Sequence, residues 1–185
     1  MTRIVAGAFK GRRIAAPPGR DTRPTADRVR EALFGALGDL TGDRFADLYA
    51  GSGAIGLEAA SRGAAHVLLV ESDPRAGRVI RDNIALLKAG DVAKLAPSRV
   101  QSVLPGGPGS GGPFDVVFAD PPYAVDETEV TGLLRGLVEY GWLAPDAVVV
   151  LERSARAPEP TWVNGITGER SRRYGETTLW YGRAS

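Results

Sequence analysis

The stretch Asp47-Leu48-Tyr49-Ala50-Gly51-Ser52-Gly53-Ala54-Ile55-Gly56 sets the reading of the whole chain. An alternating strand runs into a glycine-rich turn, and the turn opens a helix expected from Ala54 to about Arg62, closed by Gly63. Glycine permits a tight turn and close backbone approach, while a helix start offers free N–H groups to a ligand. The next strand, residues 66–71, ends in Glu71, twenty residues beyond Gly51. That is where a ribose-binding acid belongs in a nucleotide-type α/β fold. Gly51, Gly53 and Gly56 satisfy G-x-G-x-x-G literally, which is weak evidence for NAD in a chain with 24 glycines among 185 residues. Asp47 argues against a dinucleotide, because its charge near the ligand's inner end suits a cation better than a pyrophosphate.

A second motif, Asp120-Pro121-Pro122-Tyr123, follows the apolar run Phe114-Asp115-Val116-Val117-Phe118-Ala119. Proline fixes φ and lacks an N–H, so Pro121 and Pro122 hold the chain extended with bare carbonyls as acceptors. An ionised Asp120 only accepts hydrogen bonds, so with the Pro121 carbonyl it can bind an exocyclic NH2 group. Tyr123 can then stack on the ring that carries the amine. The plainer alternative is a strand-to-loop exit, since Asp-Pro pairs commonly start turns.

Outward from these motifs the chain alternates strands and helices. The pattern predicts strands at about 44–50, 66–71, 93–96, 114–119 and 146–152, with helices at 54–62, 74–88 and 127–139. Such alternation implies a parallel sheet with helices on both faces, and ligands bind beyond the strands' carboxyl ends, where Gly51, Glu71 and Asp120 fall. Residues 177–181 read as a last strand. Apolar runs at 3–6 and 12–15 suggest a hairpin, and Val29, Leu33 and Leu37 form the buried stripe of a helix over 24–37. Residues 105–113 contain only proline, glycine and serine, which predicts a mobile surface spacer, with a lid as the lesser reading.

Composition bounds the chemistry. A chain of 185 residues, 43% hydrophobic and 24% charged, reads as one globular, soluble domain of ordinary size. Absent cysteine and a single histidine, His66, exclude disulfides, iron–sulfur clusters and the usual zinc sites. The lack of cysteine also removes covalent addition to a pyrimidine ring, whereas a nitrogen nucleophile needs no such help. His66 begins a strand and reads as structural. No signal-peptide pattern and no bilayer-spanning apolar stretch occur, so cytoplasmic residence is the expectation. The net charge of +1 conceals an asymmetry, because residues 1–30 hold eight cations against Asp21 and Asp27. That net of +6 marks a phosphate-gripping arm, with a solvated terminus as the bland alternative.

The two motifs together resemble the class I S-adenosylmethionine-dependent methyltransferases, and the resemblance covers nearly the whole chain. It implies a Rossmann-like, mostly parallel seven-stranded sheet with helices on both faces, in which residues 177–181 insert antiparallel. Asp-Pro-Pro-Tyr is similar to the motif of enzymes that methylate exocyclic or amide nitrogens. The segment Arg23-Pro24-Thr25-Ala26-Asp27-Arg28-Val29-Arg30-Glu31-Ala32-Leu33-Phe34 narrows the choice, together with Arg3-Ile4-Val5-Ala6-Gly7, Gly11-Arg12-Arg13-Ile14 and Tyr174-Gly175-Glu176-Thr177-Thr178-Leu179. With these segments the chain resembles the RsmD family, bacterial guanine-N2 methyltransferases acting on 16S ribosomal RNA.

The resemblance implies a basic hairpin and helix extension over 1–40 ahead of a methyltransferase domain over 41–185. It implies catalysis by Asp120, Pro121, Pro122 and Tyr123, and cofactor contacts from Asp47, Tyr49, Gly51, Ser52, Gly53 and Glu71. Ser98 and Arg99 stand where relatives often carry an acid or amide for the adenine ring, and they are the weakest assignment. Arg12, Arg13, Arg23, Thr25 and Arg28 are the expected RNA contacts. The expected substrate is 16S ribosomal RNA within a small subunit or an assembly intermediate, bound by a monomer. Three alternatives stay open: an adenine-N6 methyltransferase, which usually carries a further recognition domain; a protein-glutamine methyltransferase, which normally has asparagine at the position of Asp120; and a non-catalytic RNA-binding module.

Overall fold

The computed structural model describes residues 2–16 and 24–185, and of residues 24–26 only the backbone. Among the described residues, β1 (Thr2–Arg3) and β2 (Arg13–Ile14) form an antiparallel hairpin, followed by α1 (Pro24–Leu37). The main run is β3 (Arg44–Leu48), α2 (Ala54–Ser61), β4 (His66–Val70), α3 (Pro74–Leu87), β5 (Ala93–Ala96), α4 (Val100–Val103), β6 (Phe114–Ala119) and α5 (Glu127–Glu139). It closes with β7 (Leu143–Ser154), β8 (Ile166–Tyr174) and β9 (Thr177–Ala184). The seven-stranded sheet has the order β5-β4-β3-β6-β7-β9-β8. Strands β3 to β7 pair parallel with one another, and β9 is antiparallel to both β7 and β8. This is the Rossmann-like architecture expected.

Two cores lie on opposite faces of the sheet, as period-2 alternation requires. Phe45, Val116, Phe118 and Val150 face one core with α1, α2 and α3; Ala46, Val117, Ala119 and Leu151 face the other with α5. Val29 and Leu33 are buried and Leu37 packs beside them, so the stripe read for α1 is present, and Phe34 adds a ring 6.2 Å from Phe45.

The arm is fastened to this body. Glu58 on α2 is fully buried and accepts from the backbone N–H groups of Val5 and Ala6 at 2.9 and 3.1 Å. It also meets Arg62 at 2.8 Å and Arg30 at 3.6 Å. Asn83 on α3 accepts from Ala15 N–H at 2.9 Å and donates to the carbonyls of Ala15 and Ser52, each at 3.0 Å. Ile4, Ile14, Val29 and Leu33 share the core with the sheet, so the described residues of the extension and the body pack as one core.

Three expectations need correction. The strand read as 146–152 is longer, Leu143–Ser154, and β8 has no counterpart in the sequence pattern. Its residues, Ile166-Thr167-Gly168-Glu169-Arg170-Ser171-Arg172-Arg173-Tyr174, are nearly all exposed at a sheet edge and show no apolar alternation. Residues 105–113, expected to be a mobile spacer, instead make two short 3-10 turns against the amino ends of β3 and β4. Arg44 donates to the Gly112 carbonyl at 2.9 Å, and a Cβ on Gly111 would lie 1.9 Å from the His66 ring. They lie at the opposite end of the sheet from Asp120, which removes the lid reading. No helix among the described residues is long and apolar enough to cross a membrane.

Candidate active site

Register builds the site. Ala96, Val70, Leu48, Ala119 and Leu151 are aligned across β5, β4, β3, β6 and β7. One residue further along, the same strands deliver Pro97, Glu71, Tyr49, Asp120 and Glu152. The chain runs outward from β3 through β4 to β5 on one side, and from β6 to β7 on the other. The β3/β6 boundary is therefore a topological switch point, the place where open α/β sheets bind ligands. A cleft of about 810 Å³ opens there, lined by Tyr49, Glu71, Ser72, Asp120 to Tyr123, Glu152 to Ser154, Arg156, Ala157, Glu176 and Thr177.

On its cofactor-like side, Gly53 has φ of 82°, a left-handed conformation open to glycine at no steric cost. Gly56 serves packing, since a Cβ there would lie 2.8 Å from Leu69 and 3.0 Å from Val67. Glu71 accepts from Gly51 N–H at 2.7 Å and from Asp73 N–H at 2.9 Å. Each oxygen is thereby oriented by one backbone amide and keeps acceptor capacity for hydroxyl groups.

Asp47 differs from its expected place. It is 1% exposed, outside the cleft lining, and accepts from Gly56 N–H at 2.9 Å. Burial pushes its carboxyl well above the ordinary range, and the charges of Asp120 and Glu71 push the same way. It braces the glycine turn from beneath and makes no direct surface for a ligand cation.

Alternation would put Tyr49 on the α1 to α3 side, but its φ of 62° turns the ring against the opposite core. There burial and the Glu129 charge raise its hydroxyl, while a hydrogen bond with Gln101 acts the other way.

On the acceptor side, Asp120 N–H reaches the Leu48 carbonyl at 3.4 Å and Val125 N–H closes onto the Pro122 carbonyl at 2.9 Å. Pro121 is buried whereas Tyr123 is 92% exposed at the mouth, a bare aromatic face available for stacking. Ser98 and Arg99 are exposed beyond β5 and outside the cleft lining, so the cleft does not gather them. Gly51 and Ser52 form its turn without lining it.

Glu152 was missed by the sequence reading. It hydrogen-bonds Asp120, and its proton is held up to about pH 9, first by burial and then by the charges of Asp120 and Asp47. An acid ending the run Val148-Val149-Val150-Leu151, as Glu71 ends β4, was the signal that could have found it.

The arm residues divide. Arg13 and Arg28 are exposed, and Arg12 is exposed with one N–H on the Leu86 carbonyl at 3.0 Å. Arg30, counted in the basic excess, is 5% exposed and belongs to the Glu58 network. Arg23 lies outside the described residues, and of Thr25 only the helical backbone is described.

Comparison with known proteins now decides the family. The model described as "Conserved hypothetical protein 95" matches residues 2–183. The chain belongs to that family. The "Ribosomal RNA small subunit methyltransferase D" of Escherichia coli strain K12 is 39% identical over 160 residues, 86% of this chain and 78% of its own length. The protein of the same name from Haemophilus influenzae is 33% identical over 157 residues, 84% of this chain and 80% of that one. Among solved structures, a hypothetical protein of Thermus thermophilus superposes with a TM-score of 0.80 at 33% identity, covering 98% of both chains. An RNA methyltransferase of Salinibacter ruber in complex with S-adenosyl-L-homocysteine superposes at 0.61, with 21% identity, over 89% of this chain and 93% of that one, a likeness of fold. The match to the Conserved hypothetical protein 95 model takes in the arm along with the body, since it runs over residues 2–183.

Proposed function

We propose that the protein transfers a methyl group from S-adenosylmethionine to the exocyclic N2 amine of a guanine in 16S ribosomal RNA of the small subunit. The observation that carries this reading is Asp120-Pro121-Pro122-Tyr123 lining one switch-point cleft with Glu71, which the glycine turn holds through Gly51 N–H. The family membership and the relatives named as small-subunit ribosomal RNA methyltransferases support it.

The residues fit the cofactor. Glu71, already oriented by two amides, would take the ribose hydroxyls, while Gly51, Ser52 and Gly53 bring the backbone close and Tyr49 flanks it. Glu71, Asp120 and Glu176 give the cleft an acidic lining, which favours a ligand bearing an ammonium and a sulfonium. When bound, that cofactor supplies an electrophilic methyl group.

The chain's own task is alignment. Transfer to an amine is a direct displacement, and orientation of the two reactants can supply roughly 7–11 kcal/mol of barrier lowering. Asp120 and the Pro121 carbonyl accept the N2–H bonds, raising the availability of the nitrogen lone pair. Tyr123 stacks on the extruded base and offsets part of its unstacking cost. Arg12, Arg13 and Arg28, with Arg23 and Thr25, would hold the RNA through its phosphates.

Asp120→Ala should abolish methylation of unmodified small subunits while calorimetric S-adenosylmethionine affinity stays within a few-fold. Tyr123→Ala should cost roughly 1–3 kcal/mol in base engagement, measured as kcat/KM for RNA. Near-normal turnover by Asp120→Ala, or transfer to DNA or protein in preference to 16S RNA, would overturn the reading.

A further inference from the structure

The cleft gathers more carboxyl groups than recognition of one amine needs. Ala119 is registered with Leu151, so Asp120 and Glu152 leave neighbouring strands side by side. Both line the cleft, and both follow residues that face the α4/α5 core, so alternation places them on the other face of the sheet. Asp47 lies on that face from β3, two residues before the same row. Carboxylates gathered in this way disfavour one another's ionised form.

We propose that Glu152 is a positioning residue for methyl transfer, holding one proton in a hydrogen bond to Asp120 so that the pair carries a single negative charge aimed at the target amine. The proposal rests on the reading of Asp120 as the amine's acceptor. The Glu152 hydroxyl occupies one lone pair of Asp120, fixes the carboxylate plane, and leaves its other acceptor positions for the N–H groups of the base.

The pair also has room for one more proton. As the nitrogen bonds to the methyl carbon, the bond from that carbon to sulfur breaks and its electrons leave with sulfur. The nitrogen becomes cationic, one N–H bond breaks, and Asp120 takes the proton. The pair passes from one negative charge to none, and no further reactant is required. Had both acids been ionised at rest, the carboxylate plane would lack its internal tether.

Other charged groups bear on this pair. Asp47 acts on Glu152 from beneath, and Glu71 and Glu176 line the same cleft. Arg153 is drawn away, donating to Glu127 at 2.7 Å and to the Val125 carbonyl at 3.3 Å. Arg156 stands in the lining and is the remaining cation there. The balance is acidic, in keeping with a proton retained to about pH 9 by burial and by neighbouring carboxylates.

The experiment uses the full chain in four forms: wild type, Glu152→Gln, Glu152→Ala and Asp120→Ala. Infrared titration of the free protein should give a wild-type minus Glu152→Gln difference band of a protonated carboxyl that persists at neutral pH and is lost near pH 9. A contribution from Asp47 is common to both and cancels. In single-turnover methylation of unmodified small subunits with S-adenosylmethionine, Glu152→Gln should stay within a few-fold of wild type at neutral pH, because its amide N–H still donates to Asp120. Its rate relative to wild type should rise as pH passes about 9, a comparison that cancels titration of the base itself. Glu152→Ala should lose about 100-fold in kcat, the scale of a misplacement near 1 Å, with the KM for S-adenosylmethionine unchanged.

A missing difference band, wild-type turnover by Glu152→Ala, or parallel pH profiles for wild type and Glu152→Gln would each overturn the proposal. If Glu152→Ala does not fold, the band and the Glu152→Gln profile decide. An inactive Asp120→Ala beside a fully active Glu152→Ala would sink the role of Glu152 alone, whereas an active Asp120→Ala would remove the reading on which it rests.

Discussion

Glu152 keeps its proton to about pH 9 in the folded chain against an ordinary 4.5, and stability must feel the difference. Between those values the folded chain binds a proton that the unfolded chain has released. The contribution of Glu152 is therefore complete below the lower value and is lost as pH rises through the upper, by at most about 1.4 kcal/mol per pH unit. Glutamine carries no such dependence. The stability of Glu152→Gln relative to wild type should rise steadily from pH 5 to about pH 9, and urea unfolding midpoints across that range will check it. Single residues also show where sequence reading stopped. Asp120 and Glu71 were legible because each directly follows a recognisable strand, and Tyr123 because it closes the motif that Asp120 opens. Glu152 was not, because its meaning depends on which strand lies beside β6, and that pairing exists only in the folded sheet. Asp47 was found but misread, since spacing along the chain cannot distinguish a carboxylate facing a ligand from one bonded to Gly56 beneath the turn.

At the scale of elements, the hairpin of β1 and β2 is both an anchor and a display. Its backbone is committed to Glu58, Ser61 and Asn83, while Arg13 points to solvent and Arg12 stays exposed despite its bond to Leu86. Each phosphate neutralised by such a residue steepens the salt dependence of binding, by a log–log slope of about −0.7 on single strands. Replacing Arg12 and Arg13 together by alanine should weaken RNA binding and flatten that slope, with S-adenosylmethionine affinity unaltered. A salt series of RNA affinity measures this, and an unchanged slope would move recognition elsewhere, with Arg170, Arg172 and Arg173 on β8 the next residues to replace. That strand escaped the sequence reading for a physical reason. Between the buried Ile166 and the half-buried Tyr174 every residue of this edge strand is exposed, so no apolar alternation marks it. Strands β4 and β6, inside the sheet and largely buried, announced themselves by their apolar runs.

For the whole molecule, Glu58 joins the arm to the body, because it receives two amides from the arm and faces Arg30 and Arg62. Removing one partner of a buried ionic network leaves the others uncompensated and costs about 3–5 kcal/mol. Glu58→Ala should lose stability on that scale in urea unfolding; a change below about 1 kcal/mol, within the range of about 0–1 for exposed pairs, would show that the network is solvated. The fold class and the position of the cleft were legible at this scale, since alternating elements dictate a parallel sheet and a switch point. The union of arm and body was not, because the side chains of Glu58 and Asn83 carry no outward sign in the sequence of their partners in the arm. The groups of the cleft all lie one step past a single aligned row, at the strands' carboxyl ends, whereas residues 105–113 rest at the opposite end. Over generations, then, the two ends of this sheet are under different rules. A residue gained or lost within β3, β4, β6 or β7 would swing an acid to the wrong side, while at the far end the demand is for smallness, since a Cβ on Gly111 or Gly112 would press into His66 or Pro108.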